Sequence, residues 1–225
     1  MSEKKEMAHA TPKRRRGRPP ATTTSNEVRT SILTAAIKVF AKDGFDGASI
    51  FEIARHADVG GPLVHYHFGS KENLWRETVD FALRELAGPI ATIANSARYL
   101  EPIDALKLLC RALADYSAKW PEHVLILINE VRFPGERLDY VLKKYLSDIH
   151  HVIDEQVERA IQKGLFKKIP VPHVTTSIIY SITLFYASAP LVKNLYKINP
   201  SDADVSEQHI ESVIEIIFKG LECDI

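Results

Sequence analysis

Apolar residues recur along this chain at steps of three and four, and no alternating strand pattern runs longer than a few residues, so the pattern predicts an all-α protein. The first helix opens at the capping box Thr24-x-x-Glu27, carries Ile32, Ala35, Ala36, Val39 and Phe40 on one face, and ends at Asp43-Gly44. A second begins at Ser49, where Ser49 and Glu52 form another capping box and Ile50, Ile53, Ala54 and Ala57 supply the apolar face. Asp58-Val59-Gly60-Gly61 breaks the periodicity with two glycines that tolerate unusual backbone angles, and Pro62 suits the first position of a short third helix. On that helix Val64 and Phe68, four apart, can pack inward, while Leu63, His65, Tyr66, His67 and Lys71 are left for the outer faces and the following turn. Ser70 is the expected N-cap of a fourth helix carrying Leu74, Thr78, Phe81 and Leu86, with Gly88-Pro89 as its stop.

From Pro89 onward the pattern stays helical, with breaks at Glu101-Pro102, Trp120-Pro121, Phe133-Pro134-Gly135, Gly164, Pro170-Val171-Pro172 and Asn199-Pro200. The intervening helices are expected at about Ile103 to Lys119, Glu122 to Val131, Leu138 to Lys163, His173 to Tyr196 and Val205 to Leu221, the last capped by Asp204-x-x-Glu207. Val213, Ile214, Ile216, Ile217, Phe218 and Leu221 are too apolar for a helix with one wet face, and Ser177 to Val192 is similarly rich. That surplus predicts a homodimer through about residues 173–221, two helices per subunit forming a four-helix bundle, the alternative being two central helices of a monomer's core.

A chain of 225 residues with 45% hydrophobic content holds one large or two small domains with an ordinary core. Its longest aliphatic run, Val124 to Ile128, is too short for a bilayer and no apolar segment follows the start, so a cytoplasmic protein without membrane insertion is expected. Cys110 and Cys223 make neither a disulfide framework nor a metal spacing, and Cys110 reads as a small buried hydrophobe. The formal net charge is zero, yet residues 1–30 hold eight Lys or Arg against three acids, which points to a polyanion at that end. Residues 1–24 lack hydrophobic periodicity and are expected to be a disordered basic tail. Within it Arg14, Arg15, Arg16, Gly17, Arg18 and Pro19 look like an AT-hook, whose arginines suit the negative potential of a narrow A·T-rich minor groove, against the plainer reading of a phosphate-attracting tail.

Two short helices joined by a tight glycine-containing turn are the unit that lays its second helix in the DNA major groove, although a helical hairpin in any all-α domain has the same outline. The residues go further. IFEIARHADV followed by VGGPLVHYHFGSKENL resembles the N-terminal domain of TetR-family transcriptional regulators, over about Ser25 to Leu86. The resemblance implies an N-terminal three-helix helix-turn-helix DNA-binding domain over 25–87 and a larger C-terminal helical ligand-binding and dimerisation domain over 88–225. It implies base-edge contacts from Gly61, Pro62 and Leu63, and phosphate contacts from Ser49, His65, Tyr66, His67 and Lys71. The family usually carries polar residues where Gly61 and Leu63 stand, and a tyrosine where His65 stands. Readout here is therefore expected to rest on thymine methyls and duplex shape more than on hydrogen bonds.

Catalytic and metal chemistry find little support. His65 and His67 point to different sides of a helix, His150 and His151 are adjacent, and HExxH, paired cysteines, glycine-rich phosphate loops and GxSxG are absent from the sequence. No cofactor is expected. A small-molecule cavity is a better use of the middle helices, with Tyr116, Trp120, His123, Asn129, Glu130, Arg132, Tyr180, Phe185 and Tyr186 as its candidate lining, ordinary core aromatics being the alternative. The expected protein is thus a ligand-responsive regulator, bound to a palindromic operator as a dimer, associated with the bacterial nucleoid when bound and released by a small-molecule effector. An architectural A·T-rich DNA-binding protein without an effector is the rival.

Overall fold

The computed structural model describes residues 24–97 and 99–223. Eleven α-helices run in the order α1 (Ser25–Gly47), α2 (Ile50–His56), α3 (Gly61–Phe68), α4 (Lys71–Ala97), α5 (Pro102–Lys119), α6 (Pro121–Val131), α7 (Glu136–Val141), α8 (Ser147–Gln162), α9 (Val171–Ala187), α10 (Ala189–Tyr196) and α11 (Ala203–Leu221), and a π-helical turn, Leu142–Leu146, joins α7 to α8. The all-α expectation holds throughout these residues.

The first three helices fold around a shared core. Thr24 and Glu27 form the reciprocal cap expected of α1. Its regular part ends where Gly44 takes φ 67°, a backbone state that costs other residues a Cβ clash. Ser49 caps α2 by accepting from the Glu52 amide, but Glu52 does not reciprocate; its carboxylate lies toward Arg55 and His56. In the turn before α3 the left-handed residue is Asp58, at φ 54°, whereas Gly60 is extended. A Cβ at Gly60 would lie 3.8 Å from Pro62 and one at Gly61 would meet nothing within 4 Å, so neither backbone angles nor packing within the chain calls for glycine there.

Three further expectations are corrected. Gly88-Pro89 does not stop α4, which continues to Ala97 with Pro89 inside it. Glu85, whose carbonyl loses its partner amide, is exposed beside Gly88 and Pro89 and can be hydrated, while Leu86 and Ile90 on the opposite face are buried and hold both halves in line. The single helix expected over His173 to Tyr196 is two, α9 and α10, meeting at 71°. Pro190, near the start of α10, lacks the amide that would have continued the ladder. The last helix begins at Ala203 after Asp202, so Asp204 lies in its first turn and is not its cap.

The C-terminal helices pack around α5, which touches α4, α8, α9 and α11. The two ends of the molecule meet where α6 lies against α1 and α4. Helix α4 belongs to both. Its start is buried through Leu74, Trp75 and Val79, and its far end is held by Arg159, which donates to the carbonyls of Ala97 (2.9 Å) and Leu100 (3.0 Å). Among the described residues no single helix is long and apolar enough to cross a membrane.

Candidate nucleic-acid interface

Helix α3 is a short amphipathic peg. Val64 and Phe68 are buried as α3 packs against α2 and α4, and the Gly69 amide closes the helix on the His65 carbonyl at 2.9 Å. This anchoring turns Pro62, His65 and Tyr66 outward, with Gly61, Leu63 and His67 half-buried, and Tyr66 is 80% exposed. Such an aromatic covers no core and is available at the surface of the helix. Lys71 is less free than its sequence position suggests, because its ammonium donates to the Asp46 carbonyl at 3.3 Å and lies 4.7 Å from the Phe45 ring centroid. Ser49 is occupied as the α2 cap. A residue the sequence did not single out is Phe51 on α2, 78% exposed and off the apolar face of that helix. The AT-hook-like residues Arg14 to Pro19 lie outside the described residues.

The nine pocket candidates separate into three places. Tyr116 and Tyr180 line a cavity of about 90 Å³ between α4, α5, α6, α8 and α9. Asn129, Glu130 and Arg132 line an outer groove of about 550 Å³ between the end of α1 and the α6–α7 loop, where Asn129 donates to the carbonyls of Phe40 (3.3 Å) and Ala41 (3.2 Å). Phe185 and Tyr186 lie at the α9–α11 seam, Phe185 stacked on His209 at 3.9 Å and the Tyr186 hydroxyl 2.7 Å from Ser206.

Trp120 and His123 sit beside the cavity, their rings stacked at 5.0 Å. Tyr116 donates to the Ala82 carbonyl of α4 at 3.1 Å, which leaves its oxygen to accept from His123 Nδ1–H, also at 3.1 Å. One chain of contacts thus ties α4, α5 and α6. Burial pushes the Tyr116 phenol up and the His123 imidazole down to about 4, so both are neutral in ordinary conditions. Burial likewise pushes the Cys110 thiol up to about 12, as expected for a small buried hydrophobe.

Two links between the halves had no signal in the sequence, because their partners are distant along the chain. Arg137 donates to Glu130 at 3.0 Å while its guanidinium covers Phe45. Asp80 on α4 accepts from Tyr140 (2.6 Å), Tyr145 (2.7 Å) and Lys144 (2.7 Å), the last two on the π-helical turn. Burial alone would raise the Asp80 carboxyl, but the hydrogen bonds from Lys144, Tyr140 and Tyr145 outweigh it and hold it below its usual range.

Residues 32–78 match the family described as bacterial regulatory proteins, tetR family, and residues 102–217 match the tetracyclin repressor-like C-terminal domain. The chain belongs to the TetR family. It is a DNA-binding transcriptional regulator, and α2 and α3 are its helix-turn-helix. The HTH-type transcriptional repressor NicS of Pseudomonas putida is 27% identical over 201 residues, covering 88% of this chain and 93% of that one. The regulator RutR of Escherichia coli K12 is 26% identical over 195 residues, covering 85% and 89%. In fold, this TetR-family chain is similar to the hemolysin II regulator HlyIIR (TM-score 0.70, 21% identity, 89% of this chain and all of that one). It is similar also to AibR, solved with isovaleryl coenzyme A and operator DNA (TM-score 0.67, 19% identity, 85% and 98%).

Proposed function

We propose that this regulator is a repressor that binds a two-fold-symmetric operator as a homodimer, inserts α3 of each subunit in the major groove, and lets go when a small molecule enters the C-terminal domain. The observation that carries the reading is α3 itself: Val64 and Phe68 fix the peg from below while Tyr66 stands exposed above it, beside a His65 whose ring reaches the Gly69 carbonyl at 3.2 Å. In this reading Gly61, Pro62 and Leu63 meet base edges, and Ser49, His65, Tyr66, His67 and Lys71 meet or approach phosphates. The low polarity of the base-facing residues favours sites selected by thymine methyls and shape. Dimerisation through α9 and α11 is supported by Tyr180, Leu184 and Ile216, large apolar residues left exposed on those helices. A two-fold axis would set the two α3 helices one duplex turn, about 34 to 36 Å, apart.

Relatedness to transcriptional regulators along most of the chain favours this over the architectural reading. Footprinting separates them. The repressor protects a short palindrome and elutes at the mass of two chains, whereas protection of A·T-rich tracts without symmetry, or a monomer at micromolar concentration, would refute it.

A further inference from the structure

The cavity beneath α4 constrains what the effector can be. None of the fourteen residues lining it is Asp, Glu, Lys or Arg. Its inner hydroxyls have already given their hydrogens away. Tyr116 donates to the Ala82 carbonyl at 3.1 Å, Ser117 to the Leu113 carbonyl at 2.7 Å and Thr183 to the Ile179 carbonyl at 2.8 Å. The Ser117 and Thr183 oxygens can each accept one more hydrogen bond, the Tyr116 oxygen already accepting from His123, but none of the three offers a carboxylate or phosphate a donor; in the lining only the half-buried His150 imidazole and the exposed Tyr180 hydroxyl can donate, and an ammonium meets no countercharge. Moving an unpaired ion into such surroundings is strongly unfavourable. Leu86, Val124, Ile128 and Ile149 complete an apolar wall.

Size adds a second limit. The free volume is about 90 Å³, smaller than the roughly 150 Å³ of an apolar cavity known to admit benzene. A ligand can place a short alkyl or small ring inside, and anything longer must emerge past the exposed Val131 of α6.

Resting on the reading of this domain as an effector domain, we propose that the effector is a small, uncharged, mainly apolar molecule carrying at most one hydrogen-bond donor, such as a short-chain alcohol. It acts on α4 directly. Leu86 of α4 is part of the wall, and Tyr116, on the opposite side, is bonded to Ala82 one turn earlier on the same helix. An occupant that displaces either one shifts the helix that carries the DNA-binding head.

A matched series on the full chain tests this: 1-hexanol, hexanoate and hexylammonium, with binding read by calorimetry and by the melting temperature. The expected result is saturable hexanol binding, with both ions weaker by about 100-fold or more. Val124→Phe and, separately, Leu127→Phe fill the space and should abolish hexanol binding; the comparison among the three ligands on the native chain does not depend on either variant folding. Binding of hexanoate or hexylammonium as tight as that of hexanol overturns the proposal, as does no binding by any of the three, or hexanol binding untouched by both substitutions. If hexanol binds as expected but leaves operator DNA bound, the ligand class stands and release by an effector falls.

Discussion

The guanidinium of Arg137 lies over the Phe45 ring, 3.9 Å from its centroid. Phe45 lies near the end of α1 in the DNA-binding head and Arg137 is in the first turn of α7 in the effector domain, so this contact, with the Arg137–Glu130 pair at 3.0 Å, joins the two. Burial raises the Glu130 carboxyl and Arg137 pulls it back only in part. Arg137→Ala is expected to remove the ring contact and strand that carboxylate, costing about 2 to 3 kcal/mol in urea unfolding. Arg137→Lys keeps the charge but loses the planar stack, and should fall between.

Acid should weaken the protein through His123. Its folded value near 4 lies below the ordinary 6.5, so the unfolded chain takes up a proton first as pH falls. Stability present above pH 6.5 is lost between there and pH 4, on the order of 3 kcal/mol from this group. His123→Asn should be less stable at pH 7 but show a flatter decline over that window. Parallel declines would remove His123 as the acid-sensitive group.

Pro89 interrupts the hydrogen-bond ladder of α4 just past Leu86, the residue of this helix that lines the cavity. Because its surroundings are exposed, Pro89→Ala has room for a normal helical amide and should raise stability by about 1 to 3 kcal/mol. Hydrogen exchange around Glu85 to Ile90 should slow at the same time. No gain would mean that the unpaired Glu85 carbonyl costs nothing.

How much of this was readable from the chain depends on distance along it. Thr24 with Glu27, Ser70 above Asn73, and Val64 with Phe68 act within four residues, and pattern alone found them. Pro89 misled because a proline stops a helix unless packing on the far face carries it through, here Leu86 and Ile90. Pro190 was hidden inside an apolar run. Asn129 with Phe40, Arg137 with Phe45 and Asp80 with Tyr145 join residues more than sixty apart, and composition marks none of them. Polar and aromatic residues of the middle helices suggest a pocket from the sequence, yet the cavity wall is mostly aliphatic.

The basic tail makes a separate prediction. Deleting residues 1–20 should weaken operator binding and flatten its salt dependence, the slope falling by about one unit for each lost phosphate contact. An unchanged slope would take the tail out of DNA binding.

The most direct test of the central claim compares two tyrosines of equal exposure. Tyr66 on α3 and Tyr99 after α4 are each 80% exposed. By fluorescence anisotropy on the footprinted operator, Tyr66→Ala is expected to lose about tenfold in affinity, roughly 1.4 kcal/mol, with its melting temperature unchanged, while Tyr99→Ala binds as the native chain does. Equal affinities for all three proteins, or an equal loss in both variants, would contradict the placement of α3 in the groove.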